Sequence, residues 1–151
     1  MELRQIQKEL IEKLGVVNEH DGMTPVEARV LALLIVSDET ELTFDEIREM
    51  LDISKSATSN ALNILQKTNK VEYITKSGDR KRYFRSKLFT WKQDTENKLL
   101  GMAHVSNLLK EVLSIRTPKT QKFNKELKDV IDYLDFMQNE LSILFQKWKS
   151  K

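Results

Sequence analysis

The sequence predicts a mainly α-helical protein carrying one small β-hairpin, and three observations lead there. Among 151 residues there are only four glycines and two prolines, which leaves few turns between helices rich in Leu, Lys, Glu and Ile. Apolar residues recur at steps of three and four through most of the chain. From Val71 the period drops to two on both sides of Ser77-Gly78-Asp79, the alternation of two strands about a tight turn.

Each element has its own signal. Leu3, Ile6, Leu10, Leu14 and Val17 lie at helical spacing, and Gly15 with the polar run NEHDG ends that first helix. Thr24-Pro25-Val26-Glu27 joins an N-cap, a proline at the first helical position and an acid three residues on, a capping box. The second helix reaches about Val36 and is apolar all round, which places it at the centre of the domain. Thr43-Phe44-Asp45-Glu46 is a second capping box, opening a short helix to about Leu51 with Phe44, Ile47 and Leu51 inward. Asp52 and Ile53 form a tight link, and Ser54 caps the fourth helix. Two helices so closely joined make a helix-turn-helix, and the alternating runs from 71 and from 80 add a basic hairpin.

Thr90-Trp91-Lys92-Gln93 offers a further cap for a helix to about Ile115, and Thr117-Pro118 restarts the chain in a last helix. There Leu127, Ile131, Leu134, Gln138, Leu141, Phe145 and Trp148 alternate steps of four and three, a seam suited to packing on another helix. A polar Gln138 within it would set register. The whole reads as a winged helix-turn-helix domain over 19–88, flanked by an N-terminal helix, 1–18, and a C-terminal helical region, 89–151.

Composition narrows function. No cysteine is present, which removes disulfides, thiolate metal sites and Cys nucleophiles. No signal-peptide pattern opens the chain, and the longest apolar run, VLALLIV at 30–36, falls far short of the ~20 residues of a membrane helix. A cytoplasmic protein with no membrane association is expected. Net charge is +2, yet residues 53–87 hold nine cations against two acids and residues 19–52 ten acids against two cations. Such a basic segment points to a polyanionic partner.

The segment SKSATSNALNILQ (54–66) concentrates small polar residues that are mediocre helix formers. Thr58, Leu62, Leu65 and Ala61 mark its buried side; Lys55, Ser56, Ser59, Asn60, Asn63 and Lys67 share the other. Short donors and acceptors near a helix N-terminus suit close approach to base edges in a major groove of about 12 Å, and Asn can pair bidentately with adenine. Ser54, Lys55, Ser56, Thr58, Ser59, Asn60, Asn63 and Lys67 are the candidate DNA-binding residues of this helix. Those of the hairpin are Lys76, Arg80, Lys81 and Arg82, with Arg suited to a narrow, negative minor groove. The plainer account is N-capping and a solubilising turn.

Other chemistry is sparse. Glu19, His20 and Asp21 are adjacent and better read as a solvated loop than as metal ligands, and His104 as a core or interface residue. Trp91, Phe89, Phe123, Tyr133, Phe136 and Trp148 could cage a quaternary ammonium but fit helix packing better. Two histidines and no nucleophile motif leave no catalytic residues, metal or cofactor to assign.

The stretches LDISKSATSNALNIL (51–65) and VEYITKSGDRKRY (71–83) resemble the winged-helix core of MarR-type bacterial transcription regulators, and GMTPVEARVLALL (22–34) resembles the GbsR-like branch. The resemblance covers about 20–90. It implies a homodimer joined through the N- and C-terminal helices, with Leu3, Ile6, Leu10, Leu127, Ile131, Leu134, Leu141, Phe145 and Trp148 at the interface. It also implies a helix from Ser54 in the major groove, Arg80 in the minor groove, and a small-molecule effector of unknown identity. Two departures stand out: Thr68-Asn69-Lys70 replaces the usual Gly after the recognition helix, and Asp79 and Arg80 are adjacent where the family often spaces them by one. The expected function is a repressor of transcription on a pseudo-palindromic operator in double-stranded DNA; the alternative is a winged-helix adaptor that binds protein.

Overall fold

A computed structural model describes residues 3–151, packed as two compact units, one ending at Phe89 and the other Thr90–Lys151. The first unit contains helices α1 (Gln5–His20), α2 (Pro25–Val36), α3 (Phe44–Met50) and α4 (Lys55–Lys67), with strands β1 (Leu42–Thr43), β2 (Val71–Thr75) and β3 (Arg82–Ser86). The second contains α5 (Trp91–Leu100), α6 (Met102–Ile115) and α7 (Gln121–Lys149).

α2 is the hub of the first unit, packing against both α1 and α4. Ala28, Val30, Ala32 and Leu33 have no exposed surface, as a helix apolar on every side requires. It starts where its capping box does: Thr24 Oγ1 accepts from the Glu27 amide, and the Glu27 carboxylate accepts from the Thr24 amide, each at 3.4 Å. α3 begins in the same way, with the Thr43 amide donating to Glu46 at 2.7 Å. That hydrogen bond and a second from the Thr43 hydroxyl hold the Glu46 carboxyl below its ordinary range. Ile47 is fully buried, with Phe44 and Leu51 packed against the same core.

The sheet is antiparallel in the order β1-β3-β2. Phe84 on the central strand opposes Leu42 on one side and Tyr73 on the other. β1 has no counterpart in the sequence reading, because two residues are too short to show a period. Asn69 adopts a left-handed conformation (φ 61°) between α4 and β2, the role glycine plays more often.

α1 runs through Gly15 to His20, within two residues of the end expected at 18; Gln7, Ile11 and Gly15 on it, and Leu3 ahead of it, are buried. Leu3 belongs to the core of its own unit, so its side chain is not open to a partner. Ile6, Leu10 and Val17 are exposed. Gly15 is accommodated because Arg29 of α2 crosses over it: a Cβ at position 15 would sit 3.1 Å from Arg29 Cγ. The Arg29 guanidinium is held by Glu12 at 2.9 Å, by Glu19 and by the Pro25 carbonyl at 3.1 Å, so it has little room to yield.

The second unit also corrects two boundaries. The helix expected over 90–115 breaks at Gly101, where a Cβ would meet the Asn97 carbonyl oxygen at 3.2 Å. Thr90 ends a 3-10 turn, Leu88–Thr90, and its side chain bonds Asp94 instead of capping the helix amides. Thr117-Pro118 does not start the last helix. The Arg116, Thr120 and Asn124 side chains bond together around the turn, with Asn124 Nδ2 donating to the Thr117 carbonyl at 2.9 Å, and α7 begins at Gln121.

In α7, Ile131 is buried and Leu127, Leu134, Gln138, Leu141 and Phe145 are half-buried, while Trp148 is exposed. α7 packs on α6 and α5 of its own unit. Much of the sequence-predicted dimer seam is thus covered within the chain, since a helix hairpin satisfies a heptad seam as well as a second subunit does. Ser106, buried on α6, bonds Asp135 of α7 at 2.5 Å, and Lys110 pairs with the same carboxylate at 2.7 Å.

The Arg29 clamp makes one expectation specific. Alanine at an interior helical glycine ordinarily gains about 1 kcal/mol, but in the native chain it crowds a tethered Arg29. Gly15→Ala should therefore lower the melting temperature of the wild type and raise that of an Arg29→Ala background, measured by thermal unfolding of the four chains of the cycle.

Candidate nucleic-acid interface

α4 is built to show two different faces. Thr58, Ala61, Leu62 and Leu65 are buried, and Ser54, Lys55, Ser56, Ser59, Asn60, Asn63 and Lys67 are exposed. Ser54 starts the helix, its Oγ accepting the Ala57 amide at 3.1 Å and lying 3.1 Å from Ser56 Oγ. Thr58 must be removed from the DNA-binding set. It is 0 % exposed, and its hydroxyl donates to the Ser54 carbonyl at 2.9 Å, the local back-bond by which a threonine satisfies itself inside a helix. The link before α4 is tight, with Asp52 left-handed (φ 50°) and the Ile53 amide donating to the Arg48 carbonyl at 3.1 Å.

The wing between β2 and β3 is organised by Asp79. Its amide donates to the Lys76 carbonyl at 3.1 Å, and Gly78 takes a positive φ of 80°. Its carboxylate accepts from the Lys81 amide at 2.9 Å and from the Tyr83 hydroxyl at 2.6 Å. The tyrosine hydroxyl and then the Lys81 amide hold the Asp79 carboxyl below its ordinary value, and the same hydrogen bond holds the Tyr83 phenol above its own.

The four wing cations of the sequence reading therefore differ. Lys76 pairs with Glu41 at 2.9 Å and lies 4.0 Å over the Tyr83 ring. Arg82 lies 4.7 Å over the Tyr73 ring. Both are engaged within the protein. Arg80 and Lys81 are exposed at the tip, and neither side chain forms an ion pair among the described residues. Arg85 pairs with Glu72 at 2.7 Å, and Lys87 with Asn69. Glu41, which organises Lys76, and Tyr83, which joins it to Asp79, were missed in sequence. An acid in the turn SDETEL gives no sign of which hairpin residue it will meet.

The other candidates resolve singly. Glu19 is taken by Arg29, and among the described residues no three His, Cys, Asp or Glu could hold a metal ion together. His104, expected in the core or at an interface, is exposed and so lies outside the core. The rings of Phe89, Phe123 and Trp148 each carry a cation of the protein itself: Lys87, Arg116, and Lys92 with Lys151. No described helix is long and apolar enough to cross a membrane.

A helix-turn-helix whose second helix turns a polar face outward, joined to a three-stranded sheet with a cationic tip, is a winged-helix architecture. Residues 21–82 match the model of the MarR family (MarR_2). The chain is 24 % identical to the HTH-type transcriptional regulator MmpR5 of Mycobacterium tuberculosis, over 89 % of this chain and 81 % of the relative. A crystal structure described as a transcriptional regulator superposes with a TM-score of 0.68 at 22 % identity, covering 96 % of this chain and 99 % of that one.

The latch in the wing has a definite pH window. Asp79 is depressed, so its contribution is complete above about 3.9 and is lost as pH falls through its lower folded value; Tyr83 is raised, so its contribution is complete below about 10 and is lost as pH rises through its higher folded value. Tyr83→Phe should bring the Asp79 carboxyl back up toward the ordinary range in a carbon-detected NMR titration. An unmoved Asp79 would show that the phenol does not hold it.

Proposed function

We propose that the protein is a sequence-specific repressor that binds double-stranded DNA as a homodimer on a pseudo-palindromic operator, placing α4 in the major groove and the tip of the wing against the minor groove. The observation that carries this reading is the outward face of α4, where Ser56, Ser59, Asn60 and Asn63 lie between Lys55 and Lys67. Short polar groups suit base edges, and the flanking lysines suit phosphates. Arg80 and Lys81 supply the wing contact. Twofold symmetry would set half-site centres about 10 base pairs apart. Neutralising phosphates through Lys55, Lys67, Arg80 and Lys81 of each subunit would give log K against log salt a slope of about −7.

Support for a second copy comes from apolar surface. Val105, Leu108, Val112 and Ile115 form a helical stripe along α6, all exposed and Ile115 by 85 %, while Ile6, Leu10 and Val17 form another on α1. These stripes replace much of the α7 seam as the proposed interface. The GbsR-like placement rests on residues 22–34, and release by a small-molecule effector in a cytoplasmic setting completes the reading.

Two outcomes are expected. Ser59→Glu with Asn60→Glu places like charge against the duplex and should abolish operator binding in fluorescence anisotropy while the variant keeps the oligomeric state of the wild type; surviving affinity would remove α4 from the major groove. Leu108→Glu with Val112→Glu should give a monomer in sedimentation analysis and weaken operator binding at least tenfold, whereas an unchanged dimer would move the interface elsewhere.

A further inference from the structure

The first unit contains seven carboxamide side chains, and five of them are occupied within the protein. Gln5 bonds Glu9, Gln7 bonds the Val36 carbonyl, Asn18 bonds the Ala28 carbonyl, Gln66 bonds the Leu62 carbonyl, and Asn69 accepts from Lys87. Asn60 and Asn63 are the two that remain. Both are exposed on α4, and neither amide has a hydrogen-bond partner among the described residues. On the same face Ser56 is tied to Ser54, and Ser59 is a short hydroxyl that accepts either a donor or an acceptor.

We infer that Asn60 and Asn63 are the base-reading residues of this regulator and that each recognises adenine, so that every half-site contains two adenines at neighbouring base pairs. A carboxamide presents one acceptor and a pair of donors side by side, and adenine presents the complement in the major groove, the N6 amino donor and the N7 acceptor. The match is bidentate, and guanine, with two acceptors on that edge, cannot satisfy it. Residues three apart lie on one side of a helix with a rise of about 4.5 Å between them, close to the 3.4 Å step along one DNA strand. The two amides can therefore reach successive bases. Lys55, Ser59 and Lys67 contribute affinity with less discrimination, since a lysine meets phosphate and a hydroxyl accommodates any base. This assignment rests on the proposed operator binding, and the test is chosen so that the two can fail separately.

The experiment starts with selection of an operator from random duplex DNA by the full-length protein, followed by single replacements of adenine with 7-deazaadenine, which removes N7 alone. At two neighbouring positions in each half-site the replacement should weaken binding by the wild type by roughly 5- to 150-fold, the span expected of one bidentate pair. The Asn60→Ala protein should be indifferent to the replacement at one of these positions, and Asn63→Ala at the other. Both variants should melt no lower than the wild type, because the two side chains are exposed, form no hydrogen bond among the described residues, and give way to a better helix former. An operator without such adenines, or variants that discriminate at every position as the wild type does, would overturn the assignment and leave operator binding standing. Selection that returns no sequence preference would overturn both.

Discussion

The packing of α4 on α2 is the constraint from which the rest of the molecule follows. α2 has no polar side to offer water, so it needs cover on every flank, and α1 and α4 both pack on it. α4 can do so only through Thr58, Ala61, Leu62 and Leu65. With 3.6 residues per turn, burying those four leaves Ser59, Asn60 and Asn63 facing water. The polar face of α4 is the complement of a hydrophobic contact. The same core accepts Val71 and Phe84 from the hairpin, which ties the wing to the unit that carries the helix.

Electrostatics then sorts groups that look alike in sequence. The segment from 53 to 87 is strongly basic, but its cations do not act as a uniform cloud. Glu41 and Glu72 engage Lys76 and Arg85, and the tyrosine rings carry Lys76 and Arg82. Asp79 shapes the turn with its own carboxylate instead of pairing with a neighbouring arginine. Two cations are left projecting at the tip. Glu41 from the acidic stretch and Glu72 within the basic one thus decide which basic residues remain unpaired, and surface pairs of this kind act more through position than through stability.

Legibility varied with the range of the interaction concerned. The capping boxes at Thr24 and Thr43 and the cap at Ser54 were readable because each depends on three or four neighbouring residues. The role of Gly15 was not: its lack of a Cβ serves Arg29, fourteen residues on. Thr58 was read on the buried side of its helix and still counted among the DNA-binding candidates; its hydroxyl is satisfied by the helix itself. The seam of α7 was correctly seen as a packing surface, but a repeat of apolar residues does not say which helix it meets.

By itself the sequence determined the order and type of the elements around the winged helix, the polar face of α4 and the basic character of the hairpin, since period, caps and turn residues act over a few positions. Tertiary structure alone decided that Arg29 crosses over Gly15, that Glu41 and Tyr83 allot the wing cations, and that α6 shows an apolar stripe while α7 hides most of its seam. Those outcomes depend on which distant side chains arrive at the same place, and such meetings leave no local trace in the order of residues.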